Sequence, residues 1–210
     1  MMFKKISFLS LCFLCIIFLT GCMSKVDINT LNEKAAGYMQ NGEYDKAIER
    51  LNSINDLDPR YPSTYYNLGI AYYKKGEYIK SLENLQRAIS IDKNLKDAYY
   101  SSAVVYEEIG AAIQSSDEEE EDKSEKNEKT EELRCYENFL SENKSGAEVL
   151  EGDKKSEVVA CYGYAISNYE KYISLSKDEK ENSKIKDQIA FLKEEIKKVN
   201  SDDSEDEGED

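Results

Sequence analysis

Apolar residues recur along this chain in short stripes at helical spacing, and the stripes come in pairs. Between Pro62 and Leu95, Tyr65, Leu68, Gly69 and Tyr72 fall at i, i+3, i+4 and i+7, and Leu82, Leu85, Ala88 and Ile89 form a second stripe of the same kind. Two amphipathic helices separated at Gly76 are therefore predicted, with their polar residues outward. Gly69, Ala71, Ser81 and Ala88 are small enough to let the pair approach closely, and Gly76 supplies the backbone freedom of a tight turn. One hairpin cannot bury both of its faces, so copies of it are expected on either side.

The copies are present. Thirty-four residues upstream, the same positions hold Leu31, Lys34, Ala35, Tyr38, Gly42, Tyr44, Ala47, Leu51, Ile54, Leu57, Asp58 and Pro59, and only Lys34 breaks the apolar pattern. Thirty-four residues downstream, the first helix recurs as Tyr99, Ser102, Ala103, Tyr106 and Gly110, and the pattern then stops. This resembles the tetratricopeptide repeat family, whose 34-residue unit carries a large residue, Leu-Gly/Ala, Tyr, Gly-x-Tyr, Ala, an aromatic or Leu, Ala and Pro at these spacings. The resemblance implies an all-α solenoid of helical hairpins, with repeats at 28–61, 62–95 and 96–179.

The third unit is interrupted. Tyr106 and Ala165 are 59 residues apart where an intact unit has nine, and Tyr162, Ala165, Ile166, Tyr169, Tyr172 and Leu175 repeat the spacing of a second helix. An insertion at about 111–160, in the hairpin turn, is the simplest account, because extra chain there disturbs the stacked core least. Tyr172 stands where the family prefers alanine, which implies looser packing or a different neighbour. Within the insertion, 115–132 has ten acidic and three basic residues and no aliphatic or aromatic one, so it is expected to be a solvated segment with nothing to bury. Leu133, Tyr136, Phe139 and Leu140 suit a short amphipathic helix, and 133–143 as the second helix of the third repeat is the less well matched alternative. Over 180–200, Ile185, Ile189, Leu192, Ile196 and Val199 make one further stripe. It reads as a capping helix for the last hydrophobic face, the alternative being a coiled-coil strand for a partner helix. The tail 201–210 is acidic and solvated.

Charge and the N-terminus narrow the function. A net charge of −15 opposes nucleic-acid binding, since phosphates would be repelled. Residues 1–21 combine Lys4 and Lys5, an apolar run from Ile6 to Leu19 and small residues ahead of Cys22, the pattern of a targeting segment too short to span a bilayer. Leu19-Thr20-Gly21-Cys22 resembles the lipobox of bacterial lipoprotein precursors. That resemblance implies a lipidated Cys22 as the mature N-terminus, a cell-envelope location outside the cytoplasm, and a membrane contact made through acyl chains. In that family a residue other than Asp after the cysteine, here Met23, favours the outer membrane where the organism has one. The tether over 22–27 is short, and Thr30-Leu31-Asn32-Glu33 has the form of a capping box opening the first helix.

No histidine is present, and neither a glycine-rich phosphate loop nor a nucleophile elbow occurs, so an enzyme, a cofactor, a small-molecule substrate and a metal site are not expected. Cys135 and Cys161 are either a disulfide or two partly buried thiols. The remaining candidate is a surface. In the resembling family, protein or peptide partners lie on the concave face lined by first helices. The matching positions carry Met39, Tyr66, Asn67, Ile70, Tyr73, Lys74, Tyr100 and Val104, with Asn32, Glu33, Ala36, Gln40, Ser101 and Glu107 among them. Tyrosines there either supply contact area for an extended or helical peptide or pack on one another. The family's clamp for a C-terminal carboxylate needs several Lys, Asn and Arg, and only Asn67 and Lys74 match. The expected function is a membrane-anchored protein-interaction scaffold, with a structural or surface-exposed lipoprotein acting through its acidic segments as the alternative.

Overall fold

The computed structural model describes residues 28–57, 59–115 and 154–201, and over them the chain is helical. The elements are α1 (Ile28–Gln40), α2 (Tyr44–Leu57), α3 (Pro62–Lys74), α4 (Tyr78–Ile91), α5 (Lys96–Ser115), α6 (Lys154–Leu175) and α7 (Glu179–Ser201). Pairs α1–α2, α3–α4 and α5–α6 pack as hairpins, each hairpin touches the next, and α7 packs on α6. The first helices also meet along one side, with α3 touching both α1 and α5.

The hairpin turns follow from backbone chemistry. Gly42 and Gly76 adopt φ of 75° and 79°, the left-handed conformation that glycine reaches without a Cβ clash. Pro62 opens α3 at its first turn, where a missing N–H costs nothing. Asp178 caps α7, its carboxylate accepting from the backbone N–H groups of Lys180 and Glu181, each at 3.0 Å.

Between α3 and α4 the approach is close because Gly69 has no side chain. A Cβ there would lie 2.6 Å from Leu85 Cγ, and Ser81 Oγ donates to Gly69 O at 2.7 Å. Gly110, at the expected end of the third unit's first helix, plays the same packing role instead of making a turn. A Cβ on it would stand 2.7 Å from the Tyr162 ring. Helix α5 therefore runs on to Ser115, and α6 begins at Lys154, because Ile109 and Ile113 bury themselves against Val158, Cys161 and Tyr162. The span between the two helices is correspondingly narrower than 111–160. The acidic segment after Ser115, the stripe from Leu133 to Leu140, and Cys135 lie outside the described residues, as do 1–27 and 202–210.

Two buried clusters hold the stack. Ala35, Leu51, Ile54 and Leu68 join the first and second hairpins, and a larger cluster runs from Leu82 through Tyr169 and Tyr172 to Val199. Lys34 is exposed, so its break in the apolar pattern costs no burial. Helix α1 begins at Ile28, which packs on the first cluster, so Thr30 lies inside the first turn and is not an N-cap. Tyr172 is 2% exposed, and its neighbours are Tyr100 and α7, a different setting from that of alanine in the other units.

Candidate functional site

The site is the side of the stack formed by α1, α3, α5 and the facing part of α7. On it Met39, Tyr66, Asn67, Ile70, Tyr73 and Val104 are half-buried, and Lys74 and Tyr100 are exposed. Helical spacing puts them there: Tyr66, Ile70 and Tyr73 follow one another at i, i+4 and i+7 along α3, and Tyr100 and Val104 repeat that step on α5. Tyr66, Tyr73 and Val104 also lean on the larger core cluster, so each has one side in the fold and one side toward solvent.

At the α1–α3 end, the polar groups are committed to one another. The Asn32 amide donates to Ile28 O at 3.1 Å and to Thr64 Oγ1 at 3.2 Å, and the Asn67 amide donates to Asn32 Oδ1 at 3.2 Å. Tyr61 donates to Asn29 across the same junction. Asn67, one of the two matches to a carboxylate clamp, is thus engaged in joining two repeats.

At the α5–α7 end the tyrosines gather. Tyr100 meets Tyr169 edge-on and Tyr172 at a tilt, with ring centroids 5.8 and 5.5 Å away, and Tyr73 stands 6.1 Å from Tyr78. Packing on other rings and facing solvent coexist, since Tyr100 keeps 40% of its surface exposed. An open cavity of about 340 Å³ lies between α5 and α7 and is lined by Tyr100, Val104, Glu107, Glu108, Tyr169, Lys184, Ile185 and Gln188.

Glu107 is the organising group of this cavity. Its carboxylate accepts from Tyr169 Oη at 3.0 Å and from the Gln188 amide, so one side chain ties α5 to both α6 and α7. Burial pushes its carboxyl above the usual carboxylate range, the two donors pull it back, and Glu108 beside it pushes it further up. Burial likewise raises the Tyr169 hydroxyl, with the Glu107 charge adding to the shift. Glu108 lies 3.5 Å from the Tyr73 hydroxyl, on the exposed rim.

The repeat spacing puts Glu107 on this face without marking it, and puts Ile185 on the interior stripe of the terminal helix. The signal that would have drawn these together is the register of α7. Lys184 and Gln188 flank Ile185 at i−1 and i+3, which makes α7 the next helix along the same face. Cys161 is wholly buried beside Gly110. No group of three or more potential metal-ligating side chains occurs among the described residues, and no helix among them is long and apolar enough to cross a membrane.

An all-α stack of antiparallel hairpins with a shared first-helix face defines a helical-repeat solenoid. Tetratricopeptide repeats are found over residues 37–95: a family model described as TPR repeat matches residues 37–76, and one described as Tetratricopeptide repeat matches 62–95. Solved structures agree at the level of fold. The first TPR of Spaghetti (RPAP3) bound to an HSP90 peptide superposes with a TM-score of 0.51 at 15% identity, covering 82% of this chain and 95% of that one. The Sgt2 TPR domain from Aspergillus fumigatus gives 0.51 at 17% identity, covering 84% and 83%. The Yersinia enterocolitica type III secretion translocator chaperone SycD gives 0.50 at 12% identity, covering 86% and 93%. No curated protein matches the sequence.

Proposed function

We propose that this protein is a lipid-anchored interaction scaffold of the bacterial envelope, whose first-helix face binds a segment of another protein close to the membrane. The observation that carries the reading is the face itself: Tyr66, Ile70, Tyr73, Tyr100 and Val104 present a continuous half-exposed apolar and aromatic strip on rigid helices. Such side chains give large contact area at small entropic cost, and rigid helices keep them in place before a partner arrives. The peptide-bound structure of Spaghetti supports the use of such a fold for this purpose. Cys22, following Leu19-Thr20-Gly21, supports the anchor, since two or three acyl chains at about 0.8 kcal/mol per buried CH₂ hold a protein stably where one chain does not.

Two variants test the reading in cells that express the protein from its own promoter. Cys22→Ala is expected to abolish metabolic labelling by a fatty acid and release the chain from membranes, and unchanged labelling contradicts the anchor. Tyr66→Ala in the anchored protein is expected to remove the partner from membrane co-purifications analysed by mass spectrometry. A partner that stays with Tyr66→Ala but leaves at high salt instead works through the acidic segments.

A further inference from the structure

We propose that the cavity between α5 and α7 receives a cationic side chain, an arginine or lysine of the protein segment bound along the first-helix face. The inference rests on the reading of that face as a protein-binding surface and specifies the chemistry of its occupant. Glu107 sits on the cavity wall with its carboxylate fixed by two neutral donors, Tyr169 and Gln188. Among the described residues neither Glu107 nor Glu108 makes an ion pair, and Lys184 on the opposite rim makes none with either. A carboxylate oriented by hydrogen bonds, partly withdrawn from water and without a counter-charge among the described residues is prepared for one to arrive.

The walls suit the stem and the head of such a side chain. Val104 and Ile185 offer apolar surface to methylene groups, and the exposed ring of Tyr100 offers a face to a guanidinium or ammonium. About 340 Å³ is more than one side chain occupies, which leaves room for the flanking backbone. An acidic segment finds the opposite conditions. Two carboxylates face it at the α5 end, and at the α1–α3 end the Asn32 and Asn67 amides that could have donated to it already bond within the protein. The net charge of −15 adds long-range attraction for a basic segment and repulsion for an acidic one.

The full chain, extracted in detergent, is titrated by fluorescence anisotropy with three pools of fluorescein-labelled, C-terminally amidated peptides of one randomised composition. One central position is fixed as Arg, Leu or Glu. The Arg pool is expected to bind about tenfold more tightly than the Glu pool at low salt. Glu107→Gln keeps one acceptor oxygen for Gln188 and can turn its amide N–H toward the Tyr169 hydroxyl, which then accepts; it removes the charge at nearly constant size and is expected to erase most of that preference. Glu108→Gln at the rim is expected to weaken it, and Glu49→Gln, exposed on α2, is expected to leave it intact. Equal binding of the three pools, or a preference that survives Glu107→Gln, overturns the cationic pocket and leaves the binding face standing. Failure of every pool to bind overturns both.

Discussion

At the scale of single residues, the glycines separate packing from turn-making. Gly69 and Gly110 lie where helices nearly touch, and a methyl group at either meets Leu85 Cγ or the Tyr162 ring at under 3 Å. Gly69→Ala and Gly110→Ala are each expected to destabilise the protein by roughly 1–3 kcal/mol, the usual cost of overpacking. Gly163 sits within α6, exposed, with nothing within 4 Å of a built Cβ. There alanine relieves the entropy cost of glycine in a helix, and Gly163→Ala is expected to stabilise by about 0.5–1 kcal/mol. Urea denaturation followed by circular dichroism reads all three, and a Gly69→Ala protein as stable as the parent contradicts the helix spacing described here.

Glu107 gives a pH signature at the same scale. Its carboxyl is raised in the folded protein, so between the ordinary carboxylate value and the raised one the native state binds more protons than the unfolded state. Its charge therefore opposes folding above that window, and this opposition fades as pH falls through it. The stability difference between Glu107→Gln and the parent is expected to favour the variant more at pH 7 than at pH 4. A difference independent of pH would mean that the bonds from Tyr169 and Gln188 offset the burial and the carboxyl is not raised.

At the scale of elements, α7 packs on the second helix of the last hairpin. Leu192 is fully buried, and with Ile185 and Ile189 it lies in the cluster that contains Ala165, Tyr169 and Tyr172. Leu192→Asp is expected to cost roughly 2–4 kcal/mol, since an unpaired charge would enter an apolar contact. Removing residues 202–210 is expected to change the urea midpoint little. An unchanged midpoint in Leu192→Asp would mean that α7 does not support the stack and is available to a partner.

The hairpins were legible because their signal is local. Two units repeat at many positions, and Gly42 and Gly76 mark turns through a backbone conformation that few other residues adopt. The pairing of α5 with α6 was also legible, from the matching of Tyr162, Ala165 and Tyr169 to the second-helix positions across the intervening chain. Helix ends were not. Ile113 and Val158 extend α5 and α6 by burying against each other's helix, a tertiary gain that no position-by-position comparison with the repeat contains. Thr30 likewise has the form of a cap, yet it lies within α1, where the partly buried Ile28 before it packs on the first cluster. The α5–α7 cavity escaped for a related reason: it is made by residues as far apart as Tyr100 and Gln188, and only packing joins them.

At the scale of the molecule, the acidic balance and the face act together. Quasi-one-dimensional stacks are stabilised by neighbouring contacts, so the first-helix side stays rigid as long as each hairpin is covered by the next. Its polarity is graded, from committed amides between α1 and α3, through the tyrosines of α3, to the carboxylates between α5 and α7. A segment lying along it would place apolar side chains over Tyr66 and Ile70 and a basic one toward Glu107. The central claim, that this side of the solenoid is where a protein partner sits, is tested most directly by site-specific photocrosslinking in intact cells. A photoreactive residue is placed at position 74 or 100 on the first-helix face, and at position 86 on the exposed side of α4. Crosslinks to one partner from 74 and 100, and none from 86, are the predicted result. Crosslinks from 86 with none from 74 or 100 would contradict it.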